Sequence, residues 1–196
     1  MIYFCSMTTL LDFPLQIATP RLRLFTAQER HVDDILTYLI ENKSFFQPWM
    51  PTYGPSFHTR FEQLKWIEND IQMFHHRVKL KFYIALKEAP EEIVGDVVFT
   101  NIIYGGFLSC FLGYKQSQKF EGNGYMKEAI QAAVDFIFKH WKLHRVEANI
   151  VPRNQKSIKL ISGLGFEEEG YSKRYLKLNG AWEDHVHFVK RNLKLE

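Results

Sequence analysis

The sequence has 196 residues, 46% hydrophobic, 15% aromatic and 24% charged, which excludes disordered, collagenous and low-complexity classes and fits one domain of ~100–200 residues. Twenty-five Lys and Arg against 22 Asp and Glu leave +3, far from the clustered charge of a dedicated nucleic-acid binder. Two cysteines, Cys5 and Cys110, build neither a disulfide framework nor a thiol-based zinc site. Met1 to Leu15 is partly apolar, but no Lys or Arg precedes Arg21, and Asp12 and Pro14 break the run, unlike a secretory signal. No stretch approaches the ~20 apolar residues of a membrane span. The expectation is a soluble, cytoplasmic chain that engages neither membrane nor DNA, with an N-terminal extension over 1–16 and a single domain over 17–196.

In chain order, Arg21 to Phe25 alternates as a strand. Thr26-Ala27-Gln28-Glu29 reads as a capping box, with a Thr oxygen for the third helical N–H. The helix it opens carries Val32, Ile35, Leu36, Leu39 and Ile40 on one face. Phe45 to Pro55 sets aromatics between prolines and is helix-poor. From Phe57, the spacing Phe61, Leu64, Ile67, Ile71, Phe74, Val78 is helical again. The period then changes: Lys81–Leu86, Ile93–Tyr104 and Phe107–Lys115 read as strands, the last two joined by a two-residue Gly105-Gly106 turn. A glycine loop leads to a helix with Ala129, Ala132, Ala133, Phe136 and Ile137 inward. His144–Val151 is a strand and Gln155–Gly163 a short helix. Asn179-Gly180 joins Tyr171–Leu178 to Ala181–Val189 as a hairpin. The order β α α β β β α β α β β predicts a mixed α/β sheet flanked by helices.

The chemistry concentrates in Lys119-Phe120-Glu121-Gly122-Asn123-Gly124-Tyr125-Met126, between a strand and a helix. Glycines let main chain approach a phosphate and turn N–H groups toward it, and the helix N-terminus adds about half a positive charge. Charge-assisted hydrogen bonds of about 1.5–3 kcal/mol each could hold a diphosphate without a dedicated cation. No Gly-Lys-Ser/Thr end marks a P-loop, and no third glycine a dinucleotide fingerprint. By itself, such a turn is as often a mere connection.

The next unit decides between them. Asn149 to Val151 ends a strand, Asn154-Gln155-Lys156-Ser157 opens a helix, and Leu164-Gly165-Phe166 closes it. Here the sequence resembles the GNAT acetyltransferase superfamily: the loop is similar to its Arg/Gln-x-x-Gly-x-Gly/Ala motif, and the second unit to its Asn-x-x-Ser/Ala…Gly-Phe segment. Glu41-Asn42-Lys43…Pro48-Trp49, Leu112-Gly113-Tyr114 and Asn179-Gly180-Ala181-Trp182-Glu183-Asp184-His185-Val186 resemble the RimJ/RimL-type ribosomal-protein-alanine N-acetyltransferases, RimJ more than RimL. The likeness runs over about residues 17–190.

That resemblance implies a GNAT fold with a mostly antiparallel sheet, acetyl-CoA as donor, and a protein N-terminus, a ribosomal protein's alanine, as acceptor. It implies that Leu112, Gly113 and Tyr114 pair with the pantetheine arm, that N–H groups from Phe120 through Glu121, Gly122, Asn123, Gly124 and Tyr125 to Met126 cradle the diphosphate, that Asn154 bonds the arm, and that Ser157 sits near the thioester sulfur. Lys119 stands where the motif has Arg or Gln and lacks the planar fork. The tyrosine that many relatives use as general acid falls at Ile161, and their base glutamate at Phe111. An α-amine with pKa ≈ 7.7–8.0 is freed at pH 7 for about 1 kcal/mol, a lysine amine at ≈ 10.4 for nearly 5, so a site without a strong base favours the α-amine. Bases elsewhere (Glu41, Glu183, Asp184, His185) would weaken that selection.

Ser157 is the candidate donor to the departing thiolate, though a first-turn serine equally satisfies backbone groups. Phe46, Trp49 and Tyr175 are the candidate walls of the acceptor slot, with core packing as the alternative. Glu167-Glu168-Glu169 reads as a solvated edge or an attractor of basic peptide, and the cationic run Lys139–Arg145 leaves contact with ribosomal RNA open. His185 and His187 share a strand face without further ligands, so no metal is expected. Two rival functions remain: acetylation of a small amine, and a ribosome-associated binding protein without turnover.

Overall fold

The computed structural model describes residues 12–196. Cys5 and most of the expected extension lie outside that range; within it, Leu15 is already buried and Gln16 already belongs to a strand. One eight-stranded sheet organises the chain: β1 Gln16–Ala18, β2 Leu22–Phe25, β3 Leu80–Leu86, β4 Ile93–Ile103, β5 Ser109–Gln116, β6 Arg145–Ile150, β7 Glu167–Leu178 and β8 Ala181–Arg191. Their spatial order is β1-β2-β3-β4-β5-β6-β8-β7, antiparallel throughout except for the parallel β5–β6 pair. The helices are α1 Val32–Glu41, α2 Lys43–Phe46, α3 Arg60–His75, α4 Tyr125–Phe136 and α5 Gln155–Ser162.

Alternation along the strands sorts the core into two layers. Phe82, Ile84, Val97, Phe99, Leu112, Val146 and Phe188 face one way, against Ala129, Ile130, Ala133, Val134 and Ile137 of α4 and its continuation and Ile161 of α5. Phe25, Tyr83, Ala85 and Ile93 face the other way, against Val32, Ile35, Tyr38 and Leu39 of α1, Phe46 of α2 and Ile67 of α3. Burying a large apolar side chain contributes roughly 1.5–3 kcal/mol, so these layers hold the sheet to its helices.

Local chemistry departs from the sequence reading at identifiable points. Thr26 caps no helix: its buried hydroxyl oxygen accepts the Leu15 N–H at 2.9 Å, tying β1 to the end of β2. The turn ahead of α1 is closed instead by the Gln28 N–H donating to His31 Nδ1 at 3.0 Å. On α1, Tyr38 takes the inward place and Ile40 is exposed; on α3, Phe61 is exposed and Gln63 buried. Short helical turns at Lys43–Phe46, Gln47–Trp49 and Pro55–His58 occupy the proline-rich stretch. The β4–β5 connection runs over 104–108, not two residues, because pairing resumes only at Ile103 and Ser109. Asn179 (φ 48°) and Gly180 (φ 85°) do form the tight turn expected of Asn-Gly.

Candidate active site

The parallel pair at the centre makes the site. β5 stays in register with β4 as far as Gln116 opposite Gly95, but its register with β6 ends at Phe111 opposite Glu147. From Leu112 onward, one edge of β5 therefore has no strand beside it, and its main-chain groups line a wedge. β6 instead continues to Ile150 against β8. Tyr114 props the wedge open: its ring belongs to the core and its hydroxyl donates to the Ser157 carbonyl at 3.4 Å, while burial pushes its pKa to about 12. Gly113 lets β5 pass close to β4, since a Cβ there would stand 3.1 Å from Val98 Cγ1.

The wedge opens into a cleft of about 410 Å³ lined by Phe45, Phe46, Trp49, Met50, Tyr114, Lys115, Gln116, Glu121, Met126, Arg153, Asn154, Gln155, Lys156, Ser157 and Leu160. The structure thus brings Ser157, Asn154, Tyr114, Phe46 and Trp49 to one space, although they come from α5, β5 and the turns after α1. Asn154 is the N-cap of α5, its Oδ1 accepting the Ser157 N–H at 3.2 Å. Phe46 is buried and packs edge-on against Tyr38; Trp49 is half exposed with the Arg153 guanidinium 5.2 Å above its ring. Tyr175 lies outside this lining: it sits on β7, over His185 and His187. Ile161 is fully buried.

At the end of β5, the glycine loop is tied down by its carbonyls. Gln116 Nε2 donates to Phe120 O at 2.5 Å, Asn123 Nδ2 to Phe120 O and Glu121 O at 3.1 and 3.3 Å, and Arg21 Nη1 to Asn123 O at 2.9 Å. The N–H groups of Gly122, Asn123 and Gly124 have no acceptor among the described residues. Gly122 and Gly124 adopt φ of 81° and 74°, which only glycine takes without strain, and Gly124 is the N-cap of α4. Unpaired donors at a helix N-terminus, with the neighbouring carbonyls bound elsewhere, are the arrangement that suits an anion.

Several residues distant from the loop in sequence hold it in place. Arg21 reaches across from the start of β2, pairing with Glu128 of α4 at 2.7 Å and lying 4.7 Å over the Tyr125 ring. Burial pushes the Glu128 carboxyl upward, but hydrogen bonds from Thr19 and Arg21 outweigh it and hold the group below its ordinary value. Asn42, at the end of α1, accepts the Gln118 N–H at 2.9 Å through its buried side chain. Lys119 is bound by Glu92 and does not line the cleft, so its ammonium does not replace the missing fork. Glu121 is matched across the cleft mouth by Lys156 at 2.9 Å.

Beneath the cleft, Asp96 is buried between Lys115 (3.3 Å), Lys81 (4.0 Å) and the Tyr38 hydroxyl (3.0 Å). Burial raises its pKa, but the two ammonium groups and the hydroxyl outweigh that and keep it below the usual carboxylate range. Burial lowers Lys115, which also faces the cleft. Of the other bases considered, Glu183 pairs with Arg153 at 2.8 Å, Asp184 accepts the Arg174 N–H at 2.7 Å, and His185 is buried with its pKa lowered by that burial. Cys110 is 1% exposed, and burial pushes its thiol to about 12, so it is no nucleophile. Among the described residues, no group of three or more His, Cys, Asp or Glu could hold a metal, and no helix is long and apolar enough to cross a membrane.

Known proteins share this sequence pattern and fold. The family model described as an acetyltransferase (GNAT) domain matches residues 21–167. The [ribosomal protein uS5]-alanine N-acetyltransferase of Escherichia coli (strain K12) is 35% identical over 175 residues, 88% of this chain and 88% of its own length. The crystal structure of the ribosomal-protein-S5-alanine acetyltransferase from Vibrio fischeri is similar with a TM-score of 0.86 at 30% identity, covering 91% of this chain and 97% of that one. Mycobacterium smegmatis RimJ, solved in complex with CoA-disulfide, is similar with a TM-score of 0.83 at 27% identity, covering 89% and 83%.

Proposed function

The chain belongs to the GNAT acetyltransferase family, and we propose that it moves acetyl from acetyl-CoA to the α-amine of a protein N-terminus, the alanine of a ribosomal protein, in the cytoplasm. It is an N-acetyltransferase that uses acetyl-CoA, which supplies an acyl group already activated as a thioester. The observation that carries the site assignment is the set of unpaired loop N–H groups at the end of a half-paired strand. In this reading, main chain at Leu112, Gly113 and Tyr114 pairs with the pantetheine arm as an added strand. N–H groups from Gly122 to Met126 take the diphosphate, those of Phe120 and Glu121 being committed to Ser117 O and Gln118 O at 3.0 and 3.1 Å, and Asn154, whose Oδ1 is held by its own helix, contributes its Nδ2 to the arm.

In the same reading, main-chain N–H groups of the free β5 edge take the charge that develops on the thioester oxygen, an interaction that typically supplies ~10²–10³ in rate per donor. Ser157 stands at the same end of the cleft and donates to the leaving thiolate, an undemanding task for a group with a free pKa near 8.5. Phe46 and Trp49 bound the acceptor slot, which suits a small N-terminal side chain. Acceptor identity is supported by the names of the similar enzymes from Escherichia coli and Vibrio fischeri, which act on the alanine of ribosomal protein S5. It also agrees with Phe111, which places no carboxylate beside the thioester to free a lysine amine.

The test is thiol release from acetyl-CoA with peptides beginning with Ala, against spermidine and a blocked-N-terminus lysine peptide. Release with the Ala peptide alone is expected. Release with spermidine alone would transfer the acceptor role to a small amine, and no release with any of them would leave a binding protein.

A further inference from the structure

Three cationic side chains line the cleft among the described residues, and two of them are committed away from the glycine loop. Lys115 lies on Asp96 at 3.3 Å, and Arg153 pairs with Glu183 at 2.8 Å with its guanidinium over Trp49. Around the loop itself, Lys119 is bound by Glu92, and Arg21 by Glu128 and Asn123 O. Lys127 reaches instead toward the far end of α5, its Nζ 4.0 Å from where a Cβ on Gly163 would stand. Lys156 differs from all of these. It lines the cleft, its Nζ donates to both carboxylate oxygens of Glu121 at 3.0 and 2.9 Å, and its side chain is 81% exposed. Glu121 immediately precedes Gly122, so this carboxylate stands beside the first of the unpaired loop N–H groups. Lys156 also belongs to the first turn of α5, where the helix dipole disfavours a cation and an anion in front of the turn offsets that cost.

We propose that Lys156 is the cation that pairs with the diphosphate of acetyl-CoA, and that Glu121 competes for it and yields the ammonium to the more highly charged anion. This assignment rests on the acetyl-CoA reading above and supplies the charge beside the loop that Lys119 does not. An exposed ion pair holds its partners weakly, because water screens them and fixing two long side chains costs entropy. The four-carbon stem of a lysine lets its ammonium change partner without any movement of the main chain. A diphosphate then brings two negative charges to the ammonium where a carboxylate brings one. Glu121 is not indifferent to that exchange. Its carboxylate repels the same anion that the loop N–H groups attract, across a distance shorter than a Debye length. The two members of one ion pair therefore act on affinity in opposite directions, Lys156 for the diphosphate and Glu121 against it. A pair that merely clipped α5 to the loop would act in one direction through either member.

The experiment measures the Kd of CoA by calorimetry in wild type, Lys156→Ala, Glu121→Gln and the double variant, at about 0.05 M and 0.5 M salt, with pantetheine, which lacks the phosphates, as a competitor of CoA. At low salt, Lys156→Ala is expected to weaken CoA about tenfold and Glu121→Gln to tighten it about threefold, with the double variant between them. Both effects shrink at high salt, and neither extends to pantetheine. A Lys156→Ala Kd equal to wild type, a weakening of CoA by Glu121→Gln, or an equal loss for pantetheine overturns the assignment of Lys156 and leaves the cofactor site standing. A wild type that binds no CoA overturns the acetyl-CoA reading and the assignment together.

Discussion

Ser157 and Lys119 show what a residue's type says and what its surroundings add. Ser157 lies in the cleft, in the first turn of α5, with its N–H committed to Asn154 and its carbonyl to Tyr114, so its hydroxyl is the part left for chemistry. Ser157→Ala is expected to lower kcat by about 10²-fold, the lower end for a positioned proton donor, without changing acetyl-CoA affinity; steady-state kinetics with a calorimetric Kd would separate the two. Unchanged kcat would reduce Ser157 to its role in the helix turn. Lys119 carries charge at a motif position, but Glu92 holds it on the other side of the loop. Arg21, unmarked in the sequence, is the cation that braces the loop, through Asn123 O and Glu128. Pairs that lie 102 and 107 residues apart leave no periodic trace.

Among the elements, the loop–helix unit and its glycines are the part most open to direct test. Gly124 is at φ 74°, so Gly124→Asp both strains the N-cap and puts a carboxylate among donors aimed at an anion. Acetyl-CoA affinity should fall at least tenfold, the equivalent of one charge-assisted hydrogen bond of ~1.5 kcal/mol, as read by calorimetry. Undiminished affinity would move the diphosphate elsewhere. Gly95, where β4 meets the end of β5, is required by crowding, not by dihedral angle: a Cβ would sit 2.4 Å from Lys115 O and 2.9 Å from Met126 Cε. Gly95→Ala is expected to cost about 1–3 kcal/mol and to lower Tm by several degrees. A Tm within a degree of wild type would mean that β5 can shift without strain. The hairpin at Asn179-Gly180 was legible because turn type follows from two residues. By contrast, the register shift between Ser172 and Leu176, and the three-residue β1, were not, since both depend on what lies beside them. Glu167 and Glu169 are likewise partnered, by Arg191 at 3.3 Å and Arg145 at 2.7 Å, along a strand at the sheet's edge.

For the whole molecule, the buried Asp96 joins α1 to β3 and β5, because Tyr38, Lys81 and Lys115 meet on it. Its carboxyl is held below the ordinary value in the folded chain, so its contribution is complete above an unfolded pKa of ≈ 3.9 and is lost as pH falls through the lower, folded value. Tm should therefore be steady above about pH 5 and fall below it. Asp96→Asn leaves two ammonium groups without their counter-ion, at a cost of about 3–5 kcal/mol and roughly 10 °C in Tm, and it should flatten the acid limb. A melt of Asp96→Asn that matches wild type at neutral pH would show the cluster to be neutral to stability. The sequence by itself determined the alternation of strands and helices, the glycine loop with its following helix, and the Asn154…Ser157 turn, because each is written in residues close along the chain. Only the tertiary structure decided that β5 and β6 lie side by side and then part, that Tyr175 belongs with His187 and not with the cleft, and that Glu147, Asn149 and Ser172 surround that histidine. The reason is geometric: strands distant in the chain become neighbours through packing of their apolar faces, and the polar groups on the opposite face meet as a consequence of a register that local sequence does not encode.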